Sequence, residues 1–387
     1  MSLNAKESLD HGVSSVKSCS QEGSSLRKLR ILVVAPLPPW HSGGVERVVG
    51  EIAAELGAGK KATVEIYSGD LTSSTTRIWN GIGVKTYKTK EWRRYASFAL
   101  FDAIKRESKN FDVVHAHGSG TLIPLIAALA KGKTKFVVSP HYHPHASRVS
   151  LSALKKLYDS LFNAYVLRKA SRVICVSDIE RRYVQRRFKL PASSLVTIPN
   201  GIDIGRITKA QPYDVDHKVI LSVGRLEKYK QHQLTIEAVN HLPEQYRFYM
   251  IGEGSYRHEL EGVIRRHQLG KRVKILSSCS DDEVYRWLKT CSVMVNLSEI
   301  EAFGISVLEA LAAGKGVIVN DKLGLAELAR KFENTVIPVS SKEIDPRKLA
   351  TIIEEVANAH ISHVDLTEFQ WNRIAQRVLE VYSDVQG

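Results

Sequence analysis

The run Glu301-Ala-Phe-Gly-Ile-Ser-Val-Leu-Glu309 carries two carboxylates and a glycine at what reads as a loop-to-helix junction. A helix that starts at Gly304 leaves its first backbone N–H groups free, and the helix dipole makes that end positive. Such an end receives anionic or hydroxyl-rich ligands. Glu301 stands just before the junction, and Glu309 about a turn and a half into the helix. Carboxylates so placed accept paired hydrogen bonds from vicinal diols, as on a ribose or a hexose. An isolated Glu is more often a helix-start charge or a solvated helical residue. Here the apolar flanks from Ile305 to Leu311 point to burial, and buried carboxylates are seldom idle.

A second group, Ser222-Val-Gly-Arg-Leu-Glu-Lys-Tyr-Lys230, follows an apolar strand run and holds Arg225, Lys228 and Lys230. Cations beside the carboxyl ends of parallel strands suit a diphosphate. A third group, Pro39-Trp-His-Ser-Gly-Gly-Val-Glu-Arg47, puts Gly43 and Gly44 where a strand passes into a helix, so the backbone can approach a ligand closely. On its own a Gly-Gly pair is more often a plain turn. The chain has no G-x-G-x-x-G and no Walker motif, which disfavours nicotinamide cofactors and P-loop chemistry. Histidines obey the same rule of placement. Val113-Val-His-Ala-His117 ends one strand run and Ser139-Pro-His-Tyr-His-Pro-His145 follows the next, where ligands collect in open α/β sheets. The alternation of His141, His143 and His145 has the look of a metal cluster. Pro144 disrupts a strand there and no carboxylate or Cys lies close by, so no metal site is expected. His115 reads as a strand residue with a satisfied hydrogen bond.

These groups need a scaffold, and the chain of 387 residues is long enough for two domains. Strand runs are expected at Leu29–Ala35, 63–67, 111–115, 135–139, 172–176 and 195–198, with helical patterns at 44–56, 92–106, 121–130, 150–169 and 178–188. Pro199-Asn-Gly-Ile-Asp203 breaks the alternation. It restarts with strands at 217–223, 247–251, 273–276, 292–297 and 316–319, and helices at 231–240, 256–266 and 305–313. Near-continuous apolar strands alternating with helices predict parallel sheets covered on both faces. The fold class is therefore α/β, with two Rossmann-like doubly wound domains, 29–203 and 204–366, and an amphipathic C-terminal helix over 367–387. Residues 1–28, rich in Ser and without an apolar core, read as a disordered tail rather than an address.

Composition narrows the class further. The longest apolar stretch, Thr121 to Ala130, is interrupted by Pro124 and too short to span a bilayer. Cys19, Cys175, Cys279 and Cys291 form no C-x-x-C pair, which suits reduced thiols and a cytoplasmic protein. The net charge of +14 asks for an anionic partner. Much of the excess lies in 150–189, where Leu151, Leu154, Leu157, Leu161 and Phe162 alternate with Lys155, Lys156, Arg168 and Lys169. An amphipathic basic helix of this kind can rest on an anionic membrane surface, and a core-packing helix with a solvated basic face is the alternative.

With these residues in view, the chain resembles the retaining glycosyltransferases of family four, whose two-domain fold is called GT-B. The family signature is a Glu, any residue, Phe-Gly, and a second Glu eight positions after the first. Here those are Glu301, Phe303, Gly304 and Glu309, and the likeness runs from about Leu29 to the end. By this resemblance Glu309 holds the nucleotide ribose, while Glu301 and the amides after Phe303, Ile305 among them, contact the donor sugar. Arg225 and a following lysine neutralise the departing diphosphate. Lys230 matches that lysine but precedes Gln231 where the family usually has Gly, which keeps Lys228 as an alternative. Gly43 and Gly44 match the loop facing the donor phosphates and acceptor, and His117 and His141 match histidines near donor sugar or acceptor. Gly252 and Gly254 match the turn beside the nucleotide base. Leu323-Gly324 stands where the family commonly has two glycines, and Trp371 through Tyr382 matches a helix that crosses back onto the first domain.

The resemblance implies that Glu301, His117, Arg225 and Lys230 take catalytic parts and that the other matched residues bind the donor. The reaction it implies moves a hexosyl unit from a UDP- or GDP-sugar to an acceptor hydroxyl, on a lipid-linked or polysaccharide precursor, with retention. No cofactor beyond the nucleotide sugar is expected, and no metal, because no D-x-D-like motif lies in a suitable loop and Asp281-Asp282 reads as a helix start. Both carboxylates belong to one short segment, so they do not form a glycosidase pair flanking a bond to be hydrolysed. A sugar-nucleotide epimerase could share the fold but would not be expected to show the Glu301–Glu309 segment. A nucleic-acid-binding protein fits the charge but lacks any recognition motif.

Overall fold

The computed structural model describes residues 28–41, 43–59, 61–90, 95, 97–142 and 153–387, with backbone only over 153–159. The apolar runs form two sheets. The first contains β1 (Leu29–Ala35), β2 (Ala62–Asp70), β3 (Thr76–Trp79), β4 (Ile82–Lys88), β5 (Val113–His117), β6 (Lys135–Ser139), β7 (Arg172–Cys175) and β8 (Leu195–Thr197). Their order is β3-β4-β2-β1-β5-β6-β7-β8, parallel except that β3 runs against β4. The second contains β9 (Lys218–Val223), β10 (Tyr246–Ile251), β11 (Val273–Leu276), β12 (Val293–Asn296), β13 (Gly316–Asn320) and β14 (Val336–Val339). It is all parallel, in the order β11-β10-β9-β12-β13-β14. Apolar side chains cover both faces of each sheet, which accounts for the unalternating runs read from the sequence.

Strand order decides where a ligand can sit. In the first sheet the order reverses between β1 and β5, and in the second between β9 and β12. The crevice beyond the carboxyl ends at such a reversal is where open α/β sheets bind ligands. The segments leaving these strands are the Gly43-Gly44 loop, Gly118, the Arg225–Lys230 turn and the Glu301 loop. The chemistry-bearing motifs therefore converge on two switch points.

The helix Trp371–Asp384 lays Ile374, Ala375, Val378, Val381 and Tyr382 into the core of the first sheet, beside Val48, Ile52 and Leu56 of the Gly44–Ala58 helix. The chain passes between the halves at Ile202, whose N–H bonds the Phe369 carbonyl at 2.8 Å, and Gly201 lies against the Trp371 ring.

Several boundaries differ from expectation. The strand expected at 111–115 runs instead over Val113–His117, because Asp112 turns its carboxylate onto the Arg30 N–H at 2.8 Å before β5 begins. The helix expected from Trp92 begins at Phe98, and the one expected from Ser150 is described from Ala153. Strands β3, β4 and β14 and the helices Ile204–Lys209, Leu323–Lys331 and Pro346–Asn358 were not anticipated. The exposed face of β3 and β4 is polar, so neither forms an apolar run. Residues 1–27, His143, His145 and the side chains of Leu154, Lys155, Lys156 and Leu157 lie outside the described residues. Among the described residues no helix is long and apolar enough to cross a membrane, and Cys175, Cys279 and Cys291 are free thiols.

Candidate active site

The second domain supplies most of the site. Gly304 adopts φ 99° and ψ 57°, a left-handed geometry that turns the chain from the Glu301 loop into the helix Ile305–Ala312. That helix carries no side-chain cap among the described residues, so its positive end faces the crevice. The Glu301 loop is held from both sides: Gly324 donates its N–H to the Glu301 carbonyl at 3.0 Å, and Glu299 donates to the Tyr229 carbonyl at 2.8 Å. Phe303 is buried beneath, against Phe369.

Lys230 reaches Glu301. Its Nζ donates to Oε2 at 2.6 Å, and the two side chains are 11% and 21% exposed. Lys228, on the same short 3₁₀ turn, is exposed. Of the two lysines the sequence left open, Lys230 is the one at the carboxylate. Gln231 has φ 56°, a left-handed geometry in a non-glycine residue, at the position where the family usually has Gly. Leu323 repeats the pattern with φ 52°. Both departures from the family motif keep the backbone shape and carry its strain instead. Arg225 is exposed and donates to the Tyr229 hydroxyl at 2.8 Å.

Gly252 and Gly254 are explained by packing. A Cβ on Gly252 would lie 1.9 Å from the Gly224 carbonyl oxygen, and one on Gly254 would lie 2.3 Å from that of Leu226. These glycines let the turn after β10 press its backbone against the Arg225 turn, tied by Leu226 N–H to the Glu253 carbonyl at 2.8 Å.

The first domain faces this surface with the start of the Gly44–Ala58 helix. Glu46 is buried and curls back over Gly43. Burial pushes its carboxyl up, while His41 and Arg225 work in the opposite direction. Arg47 crosses to the second domain. It donates to Glu309 Oε1 at 2.6 Å and to the Tyr285 hydroxyl at 2.6 Å. Burial raises the Glu309 carboxyl, and Arg47 opposes that shift. Neither Glu46, Arg47 nor Tyr285 was assigned from the sequence. The available signal was two charges flanked by Val45, Val48 and Val49 on a helix that must be buried.

The histidines form one buried cluster. His115 Nδ1 meets the Tyr382 hydroxyl at 2.7 Å and its Nε2 meets Ser139 Oγ at 2.9 Å, so it is the satisfied strand residue expected. His117 Nδ1 lies 3.1 Å from Nε2 of His141, whose φ is 46°. His117 is 2% exposed, which leaves His141, half-buried on the loop, the more accessible of the pair. Glu180 holds that loop: its buried carboxylate accepts from the Tyr142 N–H and, at 2.6 Å, from the Val176 N–H. Burial carries Glu180 up to about 7 against those two bonds. Glu327 adds a link between the domains, accepting from the N–H groups of Asp178 and Ile179 at 3.1 and 3.0 Å.

Burial carries His115 from its ordinary 6.5 down to about 3, and pushes His117 well down too, aided by its histidine neighbours. A histidine kept neutral by folding contributes stability that is complete above pH 6.5 and is lost as pH falls toward the folded value. Each such group steepens the loss by about 1.4 kcal/mol per pH unit within that window. Urea unfolding at pH 6.5, 5.5 and 4.5 should show a steep decline, and His115→Gln should flatten it by about one such increment. Equal slopes in the two proteins would contradict a neutral buried His115.

The family model described as Glycosyltransferase Family 4 matches residues 42–206, and that described as Glycosyl transferases group 1 matches 203–368. The chain belongs to this glycosyltransferase family. Among its relatives, an N-acetylgalactosamine-N,N'-diacetylbacillosaminyl-diphospho-undecaprenol 4-alpha-N-acetylgalactosaminyltransferase of Campylobacter jejuni is 27% identical over 60% of this chain. That alignment spans 64% of the Campylobacter protein. A phosphatidylinositol N-acetylglucosaminyltransferase of Arabidopsis thaliana is 25% identical over 92% of this chain and 82% of its own length. The fold is that of Anabaena HepE in complex with UDP, with a TM-score of 0.73, 19% identity and coverage of 92% of this chain and 100% of that one. Sucrose-phosphate synthase from Thermosynechococcus elongatus gives a TM-score of 0.76 at 18% identity, covering 92% and 99%. The family's two Rossmann-like domains, GT-B, are thus the architecture of this chain.

Proposed function

We propose that the protein transfers a hexosyl unit from a nucleoside diphosphate sugar to an acceptor hydroxyl with retention at the anomeric carbon. The observation that carries this reading is the Lys230–Glu301 pair at the β9/β12 switch point, one helix turn and a half from buried Glu309. In this reading Glu309 takes the ribose diol, and Glu301 and the free end of the Ile305–Ala312 helix take the sugar. Arg225 and Lys230 stabilise the charge that builds on the departing diphosphate, and they do so without a metal ion. The leaving phosphate accepts the proton of the acceptor hydroxyl on the same face. His141, with His117 behind it, lines the acceptor side. Relatives named for diphospho-undecaprenol and phosphatidylinositol substrates support a lipid-linked acceptor. Such an acceptor suits a protein that rests on the anionic cytoplasmic face of a membrane through 150–189. In that stretch the described side chains of Arg182, Tyr183, Arg186 and Arg187 line one groove.

Thermal shift against UDP, GDP, ADP and their common sugar conjugates, without added metal, tests the donor site. One nucleotide series at about 100 times its Kd should add about 2.7 kcal/mol, or roughly 5–10 °C. Glu309→Ala and Arg225→Ala should lose that gain. No shift with any of them in the folded protein would overturn donor binding.

A further inference from the structure

The residue that the family reading gives to the ribose already has a partner in this ligand-free structure. Glu309 is 3% exposed, and its Oε1 accepts from Arg47, which belongs to the other domain and lies 262 positions away in sequence. The same guanidinium is fastened a second time by the Tyr285 hydroxyl, on the helix Asp281–Thr290. Burial works against the Arg47 charge, and Glu309, Tyr285 and Asp281 together outweigh it, so the guanidinium is held above its ordinary range. A diol cannot form its paired hydrogen bonds to Glu309 while Arg47 holds that oxygen.

The neighbouring side chain completes the pattern. Glu46 feels the Arg225 charge across the same gap. Two consecutive residues of the first domain thus present to the second domain an anion toward Arg225 and a hydrogen-bond donor onto Glu309. A nucleoside diphosphate sugar would present the same two features, with its phosphates toward Arg225 and its ribose hydroxyls on Glu309. The contact is also incomplete, since Arg47 Nε is buried without a hydrogen-bond partner among the described residues. A ligand that offers Glu309 two donors therefore competes with an imperfectly satisfied one. Arg47 has somewhere to go, because Glu51, four residues on along the same helix, is close enough for the guanidinium to lower its carboxyl.

We propose that Glu46-Arg47 stands in for the donor in the ligand-free enzyme, Arg47 occupying Glu309 so that a nucleoside diphosphate binds only by displacing it. The proposal rests on the donor reading given above and adds a residue that opposes donor binding. Donor affinity is then reduced by the fraction of molecules in which Glu309 is free, and freeing it in every molecule raises affinity by the reciprocal of that fraction. Because the pair also joins the domains, its loss shifts the ligand-free protein toward an open arrangement.

Calorimetric titration with UDP, GDP and ADP tests this on the full chain, using wild type, Arg47→Gln, Tyr285→Phe and Glu309→Gln. Arg47→Gln should bind one of these nucleotides about tenfold more tightly than wild type, and Tyr285→Phe, which removes only the second fastening, about twofold to threefold more tightly. Glu309→Gln should bind it more weakly than wild type. Small-angle scattering without nucleotide should give Arg47→Gln the larger radius of gyration. Binding in Arg47→Gln that is equal to or weaker than wild type would overturn the proposal and make Arg47 a donor ligand or a support for Glu309. If Arg47→Gln does not fold, Tyr285→Phe decides by the same comparison. Absence of binding by every nucleotide to both wild type and Arg47→Gln is a different failure, because it overturns the donor reading itself.

Discussion

Lys230→Ala lowers kcat/KM for sugar transfer roughly 10²–10³-fold, whereas Lys228→Ala changes it by no more than about threefold. The two lysines are separated by a single residue and carry the same charge, so composition and motif spacing do not distinguish them. The structure does. Lys230 is 11% exposed and donates to Glu301 at 2.6 Å, and a Cβ on Gly224 would lie 3.5 Å from its Nζ. Its ammonium therefore stands against the backbone turn that leaves β9, in the crevice where a diphosphate would lie. Lys228 is exposed on the outer side of the turn, where water screens its charge. Removing Lys230 also leaves Glu301 without that cation and adds repulsion toward an incoming diphosphate. Initial rates with the nucleotide sugar chosen by thermal shift measure both variants. Comparable losses in the two, or no loss in Lys230→Ala, would remove Lys230 from the mechanism.

Gly252→Ala should destabilise the second domain by about 3 kcal/mol or more, a fall in Tm of roughly 6–12 °C. Its φ of 151° is disfavoured for any residue with a Cβ, and the added atom would lie 1.9 Å from the Gly224 carbonyl oxygen and 2.9 Å from its carbon. Backbone, unlike a flexible side-chain tip, cannot swing aside. The turns after β9 and β10 would have to part, breaking the Gly224 N–H bond to the Ile251 carbonyl at 3.0 Å and displacing Arg225. Gly262→Ala is the control. It lies within the helix Arg257–Arg266, its nearest neighbour to a new Cβ is an arginine tip at 3.9 Å, and the substitution should stabilise by up to about 1 kcal/mol. Calorimetric melting of the two variants separates these outcomes. A Tm for Gly252→Ala within about 2 °C of wild type would show that the turns yield cheaply.

Much of the scaffold was legible because its signals are local. Leu29–Ala35, Lys135–Ser139 and Val273–Leu276 are strands where the apolar runs placed them. The helix Asp178–Phe188 begins where Ser177 can cap the Glu180 N–H, and Asp281 opens a helix behind the Ser280–Glu283 capping box. In each case a few neighbouring residues carry the whole instruction. The strands and helices that escaped notice lack such a signal. Thr76–Trp79 is an exposed edge strand, and the helix Leu323–Lys331 starts from a left-handed Leu, which sequence rules assign to a turn.

The sequence by itself determined which residues lie at the carboxyl ends of the strands, because strand length and loop position follow from apolar periodicity and the Glu301–Glu309 spacing is covalent. It also put the glycines and cations of the site in their loops. The tertiary structure alone decided what those residues touch. Arg47 on Glu309, Glu327 on the helix at Asp178, Tyr382 on His115 and Glu180 beneath the His141 loop join positions 38 to 267 residues apart. Hydrogen bonds and ion pairs act over about 3 Å, whereas a sequence orders residues along a contour many times longer. Only the packing of the two sheets and the returning C-terminal helix brings the partners within that reach.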